Sequence, residues 1–383
     1  MIDKNKLYGL ARKRAFGIAI FAFAFLLLAA CPTGTENDPT DPTDPAAPTD
    51  PADPPIDPAV LETVVYIAGY YNDGSSDIPC YWKDEERVDL PYGTNVGGSA
   101  SAIFVSGGKV YTAGSSDDGH DSNPCYWTGT TWTDLAGEGA EGISVAGGTV
   151  YTAVNGEWID GATTAYGGAY YVDTVFNRLK GVDNPGVPAR PERDTTANDI
   201  AVVDGTVYTA GRAAYDIDDS YACYWTGTDA RTELDDSAEA LAIFVSGGTV
   251  YTAGRSYGTG TSVPCYWTGT TITMLAGDGT HEAYAYDIQV AGGTVYTAGF
   301  YNDGSKDIAC YWTGTTRTDL PGDGTNSAQA YGVSVFEGEV YTVGYYENGA
   351  TEVPCYWKGT TKVDLSVGAG GYGYGLGIFI VKE

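Results

Sequence analysis

The sequence predicts an all-β fold, a ring of seven four-stranded units, and three observations carry that prediction. The first is composition. Its 383 residues include 53 Gly and 31 Tyr, with 43% apolar and only 18% charged residues, a balance that favours turn-rich, aromatic sheet over helix. The second is an internal repeat. "VYTAG" or a near variant recurs with its tyrosine at Tyr66, Tyr111, Tyr151, Tyr208, Tyr251, Tyr296 and Tyr341, which counts seven units from about residue 64 onward. The third is the phase of the ends. The first unit opens in "TVVYIAG" (63–69), a second strand, while "GLGIFIVKE" (375–383) reads as a first strand with no successor. Pairing the two would close the ring and remove its open edges.

The unit "YDIQVAGGTVYTAGFYNDGSKDIACYWTGTTRTDL" (286–320) shows the strands in order. "YDIQV" is the first, and Gly292-Gly293 then forms a two-residue turn with positive φ at both positions, as a type I′ hairpin needs. "TVYTAG" is the second strand, a polar loop follows, "IACYW" is the third, "TGT" turns the chain and "TRTDL" is the fourth. Equivalent tight turns fall at Gly107-Gly108, Gly147-Gly148, Asp204-Gly205, Gly247-Gly248 and Glu337-Gly338. Four antiparallel strands in roughly 45 residues make one propeller blade, so residues 61–383 are expected to form a seven-bladed β-propeller. Over about 320 residues the chain resembles the seven-bladed propellers of the WD40 and kelch classes, with the WD40-like order of inner strand, Gly turn, second strand and Trp-bearing third strand. It has neither the Trp-Asp dipeptide nor the Gly-His signature. The resemblance implies the architecture and carries no function with it.

Residues 1–30 read as a signal peptide, the basic "KNKLYGLARKR" followed by the apolar "AFGIAIFAFAFLLLAA", which is short of the ~20 residues a spanning helix needs. Leu28-Ala29-Ala30-Cys31 resembles the lipobox of bacterial lipoproteins. That resemblance implies cleavage before Cys31, acylation of Cys31, and a protein held at the bacterial cell envelope with its propeller facing the periplasm or the exterior. Acyl chains buried at about 0.8 kcal/mol per methylene would then make the membrane its first partner. Residues 31–60 are a Pro/Asp/Thr-rich linker that cannot form a core. In an extended polyproline conformation at ~3.1 Å per residue it would hold the propeller up to about 80 Å from the bilayer.

Charge excludes further partners. The chain carries −30, and because residues 1–30 hold five basic residues against one acidic, the remainder carries −34. Such a surface repels nucleic acid and anionic headgroups alike.

Six of the seven cysteines, Cys80, Cys125, Cys223, Cys265, Cys310 and Cys355, sit in the phrase "CYW" at one position of six blades. Equivalent points on adjacent sheets lie about 10 Å apart or more, beyond the reach of a disulfide, so these thiols and the tryptophans two residues on are expected to pack between blades. The same spacing argues against a metal site, and no cofactor is expected. "GRSYG" (254–258) matches a nucleophile elbow around Ser256, and "GAGGYG" (368–373) matches a dinucleotide fingerprint. Neither adjoins a helix, and both read as loops. "SSDDG" (115–119) and "YNDGS" (71–75, 301–305) resemble the Asp boxes of sialidase-type propellers and read as Asp and Asn turns. "DIDDS" (216–220) has oxygen ligands of the kind calcium takes, and reads as a solvated turn.

The connections between second and third strands, and between fourth and first, read as long and varied, so their face of the disc is the expected interaction face. On it the sequence singles out Trp158, Lys180, Arg190, Arg193, Asp216, Asp218, Tyr301 and Tyr346. Blade three breaks the repeat, with Ala169 for cysteine, Tyr171 for tryptophan, and a basic cluster in the connection 180–198. With no catalytic constellation visible, the expected function is a non-enzymatic binding or scaffold module, a monomeric propeller with a protein or glycan ligand. The alternatives are a glycan-cleaving enzyme with carboxylates over the central channel and a scaffold subunit of an outer-membrane assembly machine.

Overall fold

The computed structural model describes residues 61–160, 163–181, 195–216, 219–258, 260–368 and 370–383, the side chains of 158–165 and 215–219 excepted. The expected signal peptide, Cys31, the linker, Arg190, Arg193 and Asp218 lie outside the described residues. The strands form seven antiparallel four-stranded sheets, each a blade. Blade 1 takes its inner strand, Gly373–Lys382, from the far end of the sequence and pairs it with Thr63–Asn72, Thr63 facing Lys382. Main-chain bonds between Glu62 and Glu383 extend that pairing at 2.8 and 3.0 Å. The ring closes as the phase of the repeat predicts.

The inner strands of blades 2–7 are Gly97–Ser106, Gly139–Ala146, Thr195–Val203, Ala238–Ser246, Ala283–Ala291 and Ala328–Phe336. Each turns into its second strand through the predicted residue pair, and both residues of every pair have positive φ, 56° and 79° at Gly292-Gly293 and 50° and 83° at Glu337-Gly338. Every inner strand also carries one β-bulge, always one residue past the partner of the "YTAG" glycine. In six blades a glycine stands beside the bulge, against a cross-strand carbonyl. A Cβ built on Gly299 would stand 1.8 Å from the Tyr284 carbonyl oxygen, with the same contact at 1.8–2.0 Å in five other blades. Blade 3 places Val154 there, opposite Ala169 rather than a cysteine.

Blades are joined by the "CYW" strands. The six cysteines are unpaired and fully buried, and so are Trp82, Trp127, Trp225, Trp267, Trp312 and Trp357. Five of these indole N–H groups donate to a carbonyl in the connection before their own blade, at 2.7–3.1 Å. Trp267 has no such acceptor, because Ser237 alone joins Asp236 to Ala238 and no loop exists to present a carbonyl. In blade 3 the Tyr171 hydroxyl donates to the Ala136 carbonyl at 3.1 Å, so the replacement keeps both the place and the bond of the missing tryptophan.

Strands run further toward the loop face than the sequence suggests. The second-to-third connections of blades 1, 2, 6 and 7 are four-residue turns, such as Asp73 to Ser76, rather than long loops. In each turn an Asp or Asn side chain accepts two backbone N–H bonds, as Asp303 does from Ser305 at 2.8 Å and Lys306 at 2.9 Å, an Asx geometry that makes these motifs structural. The backbone bonds hold Asp73, Asp118 and Asp303 below the usual carboxylate range.

Candidate functional site at the channel mouth

Three positions per blade build the wall of the central channel on the loop face. One is the bulge residue, which the extra residue of the bulge aims away from the ladder: Leu376, Ser101, Glu141, Asn198, Leu241, Tyr286 and Tyr331 from blade 1 to blade 7. The other two form a cross-strand pair just above it. These pairs are Tyr374 with Tyr70, Ser99 with Ser115, Gly139 with Asn155, Thr196 with Arg212, Glu239 with Arg255, Tyr284 with Phe300 and Gln329 with Tyr345.

The residues at these positions divide the mouth into two arcs. Blades 6, 7 and 1 carry a continuous chain of seven rings, Phe300, Tyr284, Tyr286, Tyr331, Tyr345, Tyr374 and Tyr70, with successive centroids 4.7–5.9 Å apart. These are the stacked and tilted contacts that aromatic pairs favour. Burial pushes the hydroxyls of Tyr286, Tyr331 and Tyr345 well up from their ordinary value, so they stay protonated donors. Blades 2–6 line a polar pocket of about 960 Å³ whose wall runs from Ser99, Ser101 and Glu141 through Asn198 and Arg212 to Glu239, Arg255 and Tyr284. Tyr284 belongs to both arcs.

Two groups in the pocket have acid–base character. Burial pushes the Glu141 carboxyl up to about 8, with the Asn155 side chain pulling the other way. It is therefore protonated at neutral pH and offers a hydrogen bond. Asn155 is itself fixed, donating to the Ala197 carbonyl at 3.1 Å and accepting from the Ala197 N–H at 2.8 Å. Glu239 accepts from Arg255 Nε at 3.0 Å and Nη2 at 2.7 Å, and from the Tyr257 hydroxyl at 3.2 Å. Burial alone would lower the Arg255 pKa, and the Glu239 charge and hydrogen bond together with the Tyr257 and Tyr284 hydroxyls more than offset it. Below the mouth, Asp287 accepts from the main chain of Ile288 and Val333, both at 2.7 Å. Asp199 does the same for Ile200 and Ile243 at 2.7 and 2.8 Å, so these two carboxyls tie adjacent inner strands together. Among the described residues no group of three or more His, Cys, Asp or Glu is placed to hold a metal.

The residues singled out from sequence do not converge on this pocket. Tyr301 and Tyr346 lie in second strands and are 9% and 8% exposed. Their hydroxyls donate to Asp319 at 3.2 Å and Asp364 at 3.1 Å, and Arg317 and Lys362 lie over their rings at 3.7 and 3.1 Å. Tyr71, Asp89 and Arg87 repeat this clasp in blade 1, so it braces the blade. Lys180 is exposed, and its main chain is tied to blade 4 through Thr228 and Trp225, both at 2.9 Å. Trp158 and Asp216 belong to second strands whose ends carry no described side chains. Ser256 ends a strand rather than an elbow, and 368–373 leads into the closing strand. The pocket residues were missed one by one. A signal for them exists: within the near-invariant phrase they are the positions at which the repeats differ most.

No family model matches the chain, and no curated protein matches it. Solved structures that resemble it include the polysaccharide lyase Uly1, at 10% identity and TM-score 0.43 over 83% of this chain and 88% of that one. A Trypanosoma rangeli sialidase in complex with sialic acid matches at 11% identity and TM-score 0.39, over 83% and 54%. The computationally designed Ika8 protein matches at 14% and TM-score 0.39, over 78% and 86%. Likenesses at this level bear on the fold alone. The expectation of a non-enzymatic chain is nonetheless corrected. The pocket brings to one wall a carboxyl raised by burial and a carboxylate paired with arginine, where the sequence had shown no acid–base constellation.

Proposed function

We propose that the protein is an exported, lipid-anchored propeller that binds a glycan in the mouth of its channel. One observation carries this reading: the repeats diverge at the channel wall, and the divergence sets seven aromatic rings against hydroxyl, amide and charged groups. A saccharide presents apolar C–H faces and hydroxyls that both donate and accept, so it matches an aromatic wall facing convergent polar groups. The lipobox-like Cys31 and the linker that follows support placement at the bacterial cell envelope.

The test is calorimetric titration of the full chain in detergent micelles with cellotriose, maltotriose and galactotriose, repeated on Tyr286→Ala and Tyr331→Ala. At least one sugar is expected to bind, and each variant to weaken it about tenfold, as loss of one aromatic contact implies. Silence from all three sugars, with a protein partner crosslinked through the same face in intact cells, would replace the glycan with a protein ligand. Cleavage of the bound glycan is a second reading, favoured by the proton that Glu141 keeps at neutral pH, as a general acid must. Chromatography of the incubated sugars, with Glu141→Gln as control, distinguishes turnover from binding.

A further inference from the structure

Arginines occupy the same position in two successive blades, one residue past the "YTAG" glycine: Arg212 in blade 4 and Arg255 in blade 5. Their cross-strand partners differ. Arg255 faces Glu239 and gives it two hydrogen bonds, at 2.7 and 3.0 Å, while its guanidinium lies 4.3 Å from the Tyr284 ring centre. Arg212 faces Thr196, whose hydroxyl is used on the Arg212 main-chain N–H at 3.1 Å. Thus blade 4 repeats the cation of blade 5 without its carboxylate. Arg212 Nε is buried with no hydrogen-bond partner among the described residues, and the residue lines the pocket. A buried guanidinium N–H left without an acceptor is costly, and a carboxylate matches the planar fork with two parallel bonds.

Among the described residues, no group fills that role for Nε. Glu239 is taken by Arg255 and Tyr257. Asn198 gives its amide to the Ala240 carbonyl at 2.8 Å. Glu141 holds its proton at neutral pH and feels no cation, so it acts there as a donor and not as a counter-charge.

We propose that Arg212 is the recognition point for the carboxylate of an acidic saccharide, the ligand supplying in blade 4 what Glu239 supplies in blade 5. This rests on the glycan reading of the pocket and names the class of glycan. Trigalacturonate is the probe, galactotriose its neutral counterpart, and sulfated galactotriose the control for anion type.

Titrations of the full chain at pH 6.5 are expected to show the carboxylated sugar binding about tenfold or more tighter than the neutral one. That ratio collapses toward one in Arg212→Gln. It collapses also in Thr196→Glu, which builds the blade 5 pair into blade 4, and unchanged thermal midpoints establish that both variants fold. Equal binding of acid and neutral sugar by the parent chain overturns the Arg212 assignment and leaves the glycan reading standing. So does a preference that survives both variants, or a sulfated sugar that outbinds the carboxylated one. Failure of every sugar to bind overturns both.

Discussion

Replacing Glu141 by Gln removes the one carboxyl that the fold holds protonated in the pocket, and the consequence follows from linkage. Burial raises the group from 4.5 to about 8. A carboxyl raised by folding contributes stability that is fully present below its unfolded value and is lost as pH rises through the folded value. At about 1.36 kcal/mol per unit, the loss between pH 5 and pH 8.5 comes to roughly 4 kcal/mol. This is an upper figure, since the side chain opens toward the channel and water screens part of it. Urea midpoints of parent and Glu141→Gln at pH 5, 6.5, 7.5 and 8.5, with m-values checked for constancy, give the measurement. The difference between the two chains is expected to grow steadily in favour of Gln from pH 5 upward and to level off above pH 8. Parallel pH profiles would refute the assignment of a half-buried, proton-holding carboxyl at the bulge of blade 3.

Further expectations concern the frame that holds the mouth. Thr297 is fully buried opposite Trp312 with no partner for its hydroxyl, and blade 1 already has Ile67 at this position. Thr297→Val is therefore expected to stabilise by about 1 kcal/mol, read as a higher urea midpoint, and a lower midpoint would contradict it. Gly299→Ala places a Cβ against the Tyr284 carbonyl at 1.8 Å and is expected to cost more than about 3 kcal/mol or abolish folding. The same substitution at Gly107, with open space around its Cβ, costs only the strain of its positive φ, about 1–2 kcal/mol. Tyr171→Phe removes the bond to the Ala136 carbonyl and is expected to lose about 1 kcal/mol, measured by the same unfolding curves.

The fold was legible because five of the seven blades announce themselves four ways at once. A diglycine-type turn, "VYTAG", "CYW" and a second Gly turn recur in fixed order, and the local rules they obey agree with one another. The bulge was not legible, because nothing in an alternating strand marks an extra residue. Its trace is the glycine of "YTAG", which in six blades leaves room for a cross-strand carbonyl and which reads in sequence as one more strand residue. Loop lengths were overestimated for a related reason. Tyr301 and Tyr346 sit beside Asp and Asn turns and read as loop residues, yet each continues the strand and packs against a cation on the fourth strand. The pocket depended on both points. Glu141, Asn198, Arg212 and Glu239 come from three blades, and only the bulge and the ring geometry bring them to one wall.

We propose that the divergent positions of the repeat form one ligand site at the channel mouth. Hydrogen–deuterium exchange of the full chain with and without a saturating trisaccharide tests it most directly. Added protection is expected to be confined to the first halves of the inner strands and the ends of the second strands, around Tyr286, Tyr331, Glu141 and Arg212, with the tight-turn face unchanged. Protection on the outer strands or the tight-turn face, with the mouth unaffected, would contradict it.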